Sequence, residues 1–385
     1  MDRMTDRIMG KTRVGITGIS GFVGSHLKDR LLREKDVEVI ACEDAYFDEF
    51  DKLKSFAENC DVLVHLAAMN RGDQEQLYSV NVGLVEKLIH AMQQTHSIPH
   101  VMFSSSIQCK LDNAYGRSKK EGARLLVQWA QKNKAPLSIL IIPNIYGDRG
   151  KPFHNSVVAT FCHQLTHGLQ PEVHVDQEIG LIYINELIEE IVKLIWNRPA
   201  AIDTSEIDLT KSIKVSEILT MLNRFKETYY EKGVVPHLEP GFEQNLYNTF
   251  LSYMDDTDYE QSSVLHADDR GSLFEVVKQE KGGQVFFSTT KPGVTRGNHY
   301  HTRKMEKFCV VKGEAVIRLR RIGTDQVIEF HVSGSKPASV EMPIFYTHSI
   351  ENVGSEELLT LFWTNELFDK NDPDTFYENV LTEQK

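Results

Sequence analysis

The sequence predicts a doubly wound parallel α/β sheet followed by an all-β domain. Three observations carry that reading. Short apolar runs alternate with helix-period segments from Thr12 to Ile142, a glycine-rich turn at Thr17–Gly24 joins the first strand to the first helix, and beyond about Leu265 the pattern becomes short β-branched and aromatic runs broken by glycine. The expected partition is a polar tail at 1–11, a first domain at 12–245, a linker at 246–262 and a second domain at 263–385.

With 385 residues the chain has enough length for two or three domains. Its net charge of −12 argues against a nucleic acid or an anionic membrane as partner. No apolar run approaches the ~20 residues of a membrane span. The leader MDRMTDRIMGK lacks an apolar stretch and is expected to be a tail, not a secretory signal. The five cysteines, at 42, 60, 109, 162 and 309, form no C-x-x-C pair, which fits a reducing compartment. The expectation is a soluble, cytoplasmic protein.

Thr12–Ile16 reads as the first strand, and Val23, Leu27 and Leu31 mark one face of the helix after it. Between them Gly18, Gly21 and Gly24, with Phe22 and Val23, form a G-x-x-G-x-x-G turn at a helix N-terminus, a site for a pyrophosphate. Val37–Cys42 ends in Glu43-Asp44, about 20 residues after the last glycine, where an acid binds an adenosine ribose and favours NAD(H). Asp61–Ala68 reads as a buried strand whose end, Leu66-Ala67-Ala68, lies against the cofactor. A helix around Leu84, Leu88 and Met92 follows, and the strand Val101–Phe103 delivers Ser104–Ser106. Tyr115 and Lys119 stand four apart, on one helix face, so the ammonium is expected to lower the phenol pKa and fit it for proton transfer. Leu125, Leu126 and Trp129 pack on the other side of that helix, and Leu137–Ile142 is one more buried strand. Further on, Ile179–Trp196 reads as strand then amphipathic helix, Lys214–Tyr230 as a second helix, and Glu231–Tyr259 as irregular.

Thr17–Gly24, His65–Ala68, Asn81, Ser104–Ser106 and Tyr115–Lys119 occur in the order found in extended short-chain dehydrogenases/reductases acting on nucleotide sugars, which residues 12–245 resemble. The resemblance implies a Rossmann fold in which Ser106 orients a carbonyl, Tyr115 is the proton donor, and Lys119 holds the nicotinamide ribose. Asn81 becomes a structural or relay residue, and Asn144 and Asn155 become nucleotide-sugar contacts. Two departures narrow the chemistry. Only eight residues separate Ser106 from Tyr115, and Ile107-Gln108 stand where sugar dehydratases carry acids. Carbonyl reduction leads, with 4-epimerisation behind it.

The β-rich half contains Gly293-x5-His299-Tyr300-His301-x4-Glu306-x6-Gly313 and Pro343-x-Phe345-x-x-His348-x3-Asn352. His299 and His301 alternate onto one strand face. With Glu306 and His348 they make a three-imidazole, one-carboxylate set suited to Zn²⁺, Fe²⁺, Mn²⁺ or Ni²⁺. These are similar to the two motifs of the cupin fold, a jelly-roll barrel, with Phe345 and Pro337 standing where glycines are common. Asp268–Ser272 resembles the start of cupin-type sugar epimerases. A metal with an open position polarises a sugar carbonyl, as epimerisation beside a ketone requires. Tyr346, Lys304 and Lys307 are candidate bases, and Arg318 and Arg320 are candidates for a diphosphate, if not simply a solvated edge.

The pairing resembles the bifunctional capsular polysaccharide and O-antigen enzymes that make UDP-N-acetyl-6-deoxy-L-talosamine. It implies a UDP-linked 4-keto-6-deoxy amino sugar as substrate, C3 epimerisation by a Zn²⁺ cupin, C4 reduction with NADP(H) or NAD(H), and a homodimer. The rival expectations are a nucleotide-sugar 4-epimerase with a dimerising cupin, and a nucleotide-sensing regulator without turnover.

Overall fold

The computed structural model describes residues 10–258 and 263–381. The expected tail therefore lies, over 1–9, outside the described residues. Two compact units result: Met1–Asn223 with Glu239–Met254, and Arg224–Leu238 with Asp255–Lys385.

The first unit alternates strands and helices: β1 (Thr12–Thr17), α1 (Phe22–Leu31), β2 (Val37–Cys42), α2 (Phe50–Glu58), β3 (Val62–His65), α3 (Gln74–Thr95), β4 (His100–Ser106), α4 (Ala114–Asn133) and β5 (Leu137–Ile142). It continues through β6 (Asn144–Tyr146), α5 (Val157–Thr166), β7 (Glu178–Tyr183), α6 (Ile184–Trp196), β8 (Ile202–Glu206), β9 (Lys211–Lys214) and α7 (Val215–Phe225), whose last two residues fall in the second unit. Six strands, in the order β2-β1-β3-β4-β5-β8, pair parallel throughout. Apolar side chains pack on both faces, as a doubly wound sheet requires. One cluster joins Phe56, Leu88, Phe103, Leu126 and Trp129, and the other joins Leu27, Leu31, Val64, Leu187 and Ile191. The order reverses at β1, where β2 and β3 part to either side, so a crevice opens at their C-terminal ends. A three-stranded sheet, β6-β7-β9, adds a smaller layer.

The stretch expected to be irregular is not so throughout. After the two-residue strand β10 (Val234–Val235), α8 spans Phe242–Leu251. Phe242, Leu246 and Phe250 recur every four residues there, and the last two are fully buried, a stripe masked by the surrounding Glu, Gln and Asn. This helix belongs to the first unit, whereas Val234 and Val235 pair with Lys278 and Gln279 of the second.

The second unit carries β11 (His266–Asp268), β12 (Gly271–Gln279), β13 (Gly283–Thr290), β14 (Thr295–Tyr300), β15 (Glu306–Lys312), β16 (Glu314–Arg321), β17 (Val327–Ser333), β18 (Ser339–Met342), β19 (Tyr346–Asn352), β20 (Leu358–Thr364) and β21 (Phe376–Tyr377). They form two sheets, β10-β12-β13-β20-β15-β18 with β11 paired to β12, and β17-β16-β19-β14-β21. Phe308, Val310, Ile317, Leu319, Met342, Ile350 and Leu358 form the core. The all-β expectation holds.

Candidate functional site

The glycine turn is shaped by contacts that only glycine permits. Gly18 has φ +65°, and a Cβ there would lie 2.8 Å from the Ala67 nitrogen. A Cβ on Gly24 would lie 2.2 Å from the Gly18 carbonyl oxygen, so α1 can start hard against the turn only without one. The Gly21 N–H donates to that carbonyl at 3.0 Å. Gly21 caps α1 with no side chain, leaving the helix N–H groups at Phe22, Val23 and Gly24 without a side-chain cap. Glu43 and Asp44 are exposed just past the end of β2.

Behind the turn, the N–H groups of Leu66 and Ala67 donate to Thr17 Oγ1 at 3.2 and 3.1 Å. The hydroxyl proton is thereby directed to His65 Nδ1 at 2.8 Å. Burial, then the charge of Lys119, push the His65 pKa down to about 3, so the ring is a neutral spacer. This network fixes Leu66 and Ala67, with Ala68 next in the chain, at the crevice.

Ser106 ends β4, and its Oγ accepts the Gln108 N–H at 3.2 Å, capping a single tight turn, 107–110. Asn113 then caps α4 by accepting the Gly116 N–H at 2.7 Å. A Cβ on Gly116 would lie 2.1 Å from the Gln108 carbonyl oxygen, so glycine lets the tight turn sit on the first turn of α4. That accounts for the short spacing between Ser106 and Tyr115. Lys119 Nζ lies 5.6 Å from the centroid of the Tyr115 ring and donates to the Ser104 carbonyl at 2.8 Å. Asn81 accepts from the Met69 N–H, donates to the Met69 carbonyl and reaches Ser118 Oγ, so it ties the segment after β3 to α4.

The phenol pKa is raised here, not lowered as expected. Burial pushes Tyr115 up to about 12 and Lys119 down to about 8. The phenol therefore holds its proton at neutral pH, as a donor must, while the ammonium titrates within reach of physiological pH.

Asn144 and Asn155 both line a cleft of about 750 Å³ beside α5 and β7. Asn144 Nδ2 donates to the Gly180 carbonyl, and Asn155, at φ +60°, donates to the Asn70 carbonyl. Each amide nitrogen is engaged in holding the cleft wall.

In the second unit His299, His301, Glu306 and His348 present ligand atoms all within 4.8 Å of one another. A bulge between Gly297 and His299 aligns His299 opposite His348 across β14 and β19. Glu306 opens β15 in the other sheet. His301 Nδ1 meets the Asp374 carbonyl at 2.5 Å and His348 Nδ1 meets the Tyr346 carbonyl at 3.2 Å. Both rings donate through Nδ1, which turns the Nε2 lone pairs inward. Those Nε2 atoms are buried without a hydrogen-bond partner, 3.5 and 3.2 Å from the Glu306 oxygens. Orphaned inward nitrogens beside a carboxylate fit a divalent cation.

Phe345, which stands where a glycine was noted, has φ +60°, and its N–H donates to the His301 carbonyl at 2.8 Å. Of the candidate bases, Lys307 adjoins Glu306 in β15 and so faces the opposite side, where it pairs with Glu341. Lys304 is buried and tied to the Pro373 carbonyl at 2.5 Å. Tyr346 shares the face of His348 and packs against the core. The arginines are engaged internally: Arg318 pairs with Glu329 and Glu351, and buried Arg320 holds Glu378 and the carbonyls of Asn379 and Val380. Asp374, which no local pattern marks, supports the candidate metal cluster and was missed by sequence reasoning. Its neighbours in space are some seventy positions away in the chain.

Residues 14–207 match the NAD dependent epimerase/dehydratase family, and residues 266–376 match the polysaccharide biosynthesis C-terminal domain. Over 366 residues, 94% of this chain and 98% of the other, the sequence is 31% identical to a UDP-2-acetamido-2,6-beta-L-arabino-hexul-4-ose reductase of Pseudomonas aeruginosa. The crystal structure of the capsular polysaccharide assembling protein CapF from Staphylococcus aureus is 36% identical, with a TM-score of 0.84 over 95% of this chain and 100% of that one. A UDP-glucose 4-epimerase from Thermotoga maritima, at 15% identity and a TM-score of 0.54 over 63% of this chain and 98% of its own, shares the fold alone.

Proposed function

The chain belongs to the NAD dependent epimerase/dehydratase family and carries a polysaccharide biosynthesis C-terminal domain behind it, and from that premise we propose a bifunctional enzyme of surface-polysaccharide precursor synthesis. Its substrate is a UDP-linked 4-keto-6-deoxy-N-acetylhexosamine. The second unit epimerises C3 and the first reduces the C4 ketone, giving UDP-N-acetyl-6-deoxy-L-talosamine. The near full-length likeness to a 4-ketose reductase supports the second step.

When bound, a nicotinamide supplies hydride to the ketone, and a divalent ion, Zn²⁺ in this proposal, supplies Lewis acidity to a carbonyl. Tyr115, kept protonated by burial, passes its proton to the oxygen of the ketone as it becomes an alcohol. Ser106 orients that oxygen. Lys119, anchored to the Ser104 carbonyl, contacts the nicotinamide ribose and stabilises the phenolate left when Tyr115 gives up its proton, until solvent reprotonates it. Gly18, Gly21 and Gly24, with the N–H groups of Phe22 and Val23, receive the pyrophosphate, Glu43 and Asp44 receive the adenosine ribose, and Leu66, Ala67 and Ala68 line the groove. Two adjacent exposed acids favour NADH over NADPH, whose 2′-phosphate they repel. Asn144 and Asn155 border the space for the UDP-sugar. In the second unit His299, His301, Glu306 and His348 hold the ion. The enzyme acts in the cytoplasm, where nucleotide sugars are made, as a homodimer.

The observation that carries the two-step reading is the convergence of those four ligands in a chain that also pairs Tyr115 with Lys119. The test is to follow nicotinamide absorbance and product stereochemistry with the 4-keto sugar. Net cofactor oxidation with inversion at C3 supports the proposal, whereas 4-epimerisation without net oxidation contradicts it.

A further inference from the structure

The barrel interior beside the candidate ligand cluster carries polar groups that the cluster does not use. Gln284 of β13 is paired with Thr364 of β20, and Thr364 with Glu306 of β15. Residues directly opposite across paired strands share a face. Gln284, Thr364 and Glu306 therefore form one row on the inner face, about 10 Å from end to end at two strand spacings. The next row is aromatic: Phe286 stacks on Phe362 at 4.9 Å, and Phe362 meets Phe308 at 5.3 Å. Phe308 in turn meets the metal ligand His348 at 5.8 Å. A third row holds Ser288, Thr360 and Val310.

Gln284 is 2% exposed, Thr364 4% and Thr360 2%. Gln284 Nε2, Thr364 Oγ1 and Thr360 Oγ1 are buried without hydrogen-bond partners. Buried side-chain polar atoms are nearly always paired, because leaving one unpaired forfeits its hydration. Valine has the shape of threonine without the hydroxyl, so packing alone gives no reason for polar groups there. Three orphaned groups on adjoining strands, in and near the row of a metal ligand, have the character of a ligand-facing wall.

We propose that Gln284 and Thr364 bind the sugar in the metal pocket, the Gln284 amide donating to one oxygen of the pyranose and the Thr364 hydroxyl bonding a neighbouring one. The ligand class is a pyranose presenting a carbonyl and a hydroxyl on adjacent carbons, over the aromatic row. This rests on the metal-dependent reading of the second unit given above, and it assigns that site a substrate-binding wall.

The test uses the full chain loaded with Co²⁺, whose visible absorption reports binding in this pocket and not in the nucleotide groove. The probe is a UDP-linked 4-keto-6-deoxy-N-acetylhexosamine. Thr364→Val and Gln284→Met are expected to take up the same amount of cobalt, to melt no lower than the parent, and to raise the half-saturating sugar concentration at least tenfold. Thr364→Ser, which keeps the hydroxyl, is expected to stay within threefold. Unchanged midpoints, a parent spectrum that ignores the sugar, or loss of folding in the two isosteric variants would each overturn the proposal, the last by making these groups structural. Failure of the epimerase reading is separate: the sugar perturbs the spectrum, yet no solvent deuterium enters at C3.

Discussion

The backbone carbonyl of Asp374 accepts a hydrogen bond from His301 Nδ1 at 2.5 Å, joining the C-terminal segment to the candidate metal cluster. The Asp374 carboxylate accepts the N–H groups of Thr302, Arg303 and Lys304 at 3.2, 2.9 and 2.9 Å, and the Thr302 hydroxyl at 2.6 Å. Burial works against its charge, but these donors hold the carboxyl well below the ordinary range. Asp374 thus fixes both the tautomer of one ligand and the loop leading to the next. Asp374→Ala keeps the backbone carbonyl bonded to His301 and removes only the carboxylate that holds the loop 302–304 between His301 and Glu306, so metal binding is expected to weaken by about tenfold, the lower end of the loss for an outer-shell partner. Chelator competition measures it, with Asp372→Ala, which removes only an exposed partner of Arg303, as control. Equal affinity in a folded Asp374→Ala protein contradicts this role.

Gly116→Ala places a methyl 2.1 Å from the Gln108 carbonyl oxygen, and backbone there cannot yield without moving the turn that carries Ser106. The expected loss is about 1–3 kcal/mol of stability, as for other overpacked sites. Ketone reduction should fall with it, while metal affinity in the second unit stays unchanged. Calorimetry and a nicotinamide absorbance assay together check both halves.

Lys119 has its pKa lowered by burial from 10.5 to about 8. Between those values the unfolded chain binds more protons than the folded one, so this residue's contribution to stability increases as pH rises from about 8 to 10.5. Activity runs the other way, because the ammonium is lost over the same range while Tyr115, at about 12, keeps its proton. The kcat/KM for reduction is expected to decline above about pH 8. Lys119→Met should be slower throughout and lack that decline. A parent profile flat to pH 10 contradicts the assignment.

Phe345 holds φ +60° with nearly half its surface exposed. An L-residue loses roughly 1–2 kcal/mol in that region, and glycine is spared the Cβ clash. Phe345→Gly is therefore expected to exceed Phe345→Ala in stability by about 1 kcal/mol. Thermal denaturation of the two variants decides it.

Much of the first site was legible in the sequence because its parts are local. The glycine turn, the Tyr115–Lys119 pair and the serines at the end of β4 lie within single strand–turn–helix units, where spacing dictates which face a side chain takes. The convergence of the candidate metal ligands was legible for a related reason: His299 and His301 alternate on one strand, and only Glu306 and His348 had to be brought to them. What local spacing could not reveal depends on long-range register. Nothing near Asp374 marks it, since its partners at 301–304 reach it through the pairing of β14 with β21. Lys307 looked like a candidate base until its alternation with Glu306 turned it outward. The pKa of Tyr115 was misjudged in direction because burial, invisible in a four-residue spacing, raises it. Helix α8 was missed because its apolar stripe, Phe242, Leu246 and Phe250, is diluted by polar neighbours.

The most direct measurement of the central claim incubates the full chain with the UDP-linked 4-keto-6-deoxy-N-acetylhexosamine in deuterium oxide and follows two signals, deuterium at C3 by NMR and oxidation of the nicotinamide by absorbance. Removing the metal should abolish the first and leave the reductase competent on a C3-epimerised substrate, while Tyr115→Phe should abolish the second and leave exchange intact. Exchange that persists in the chelated protein, or that vanishes with Tyr115→Phe, would contradict two separate sites acting in turn on one sugar.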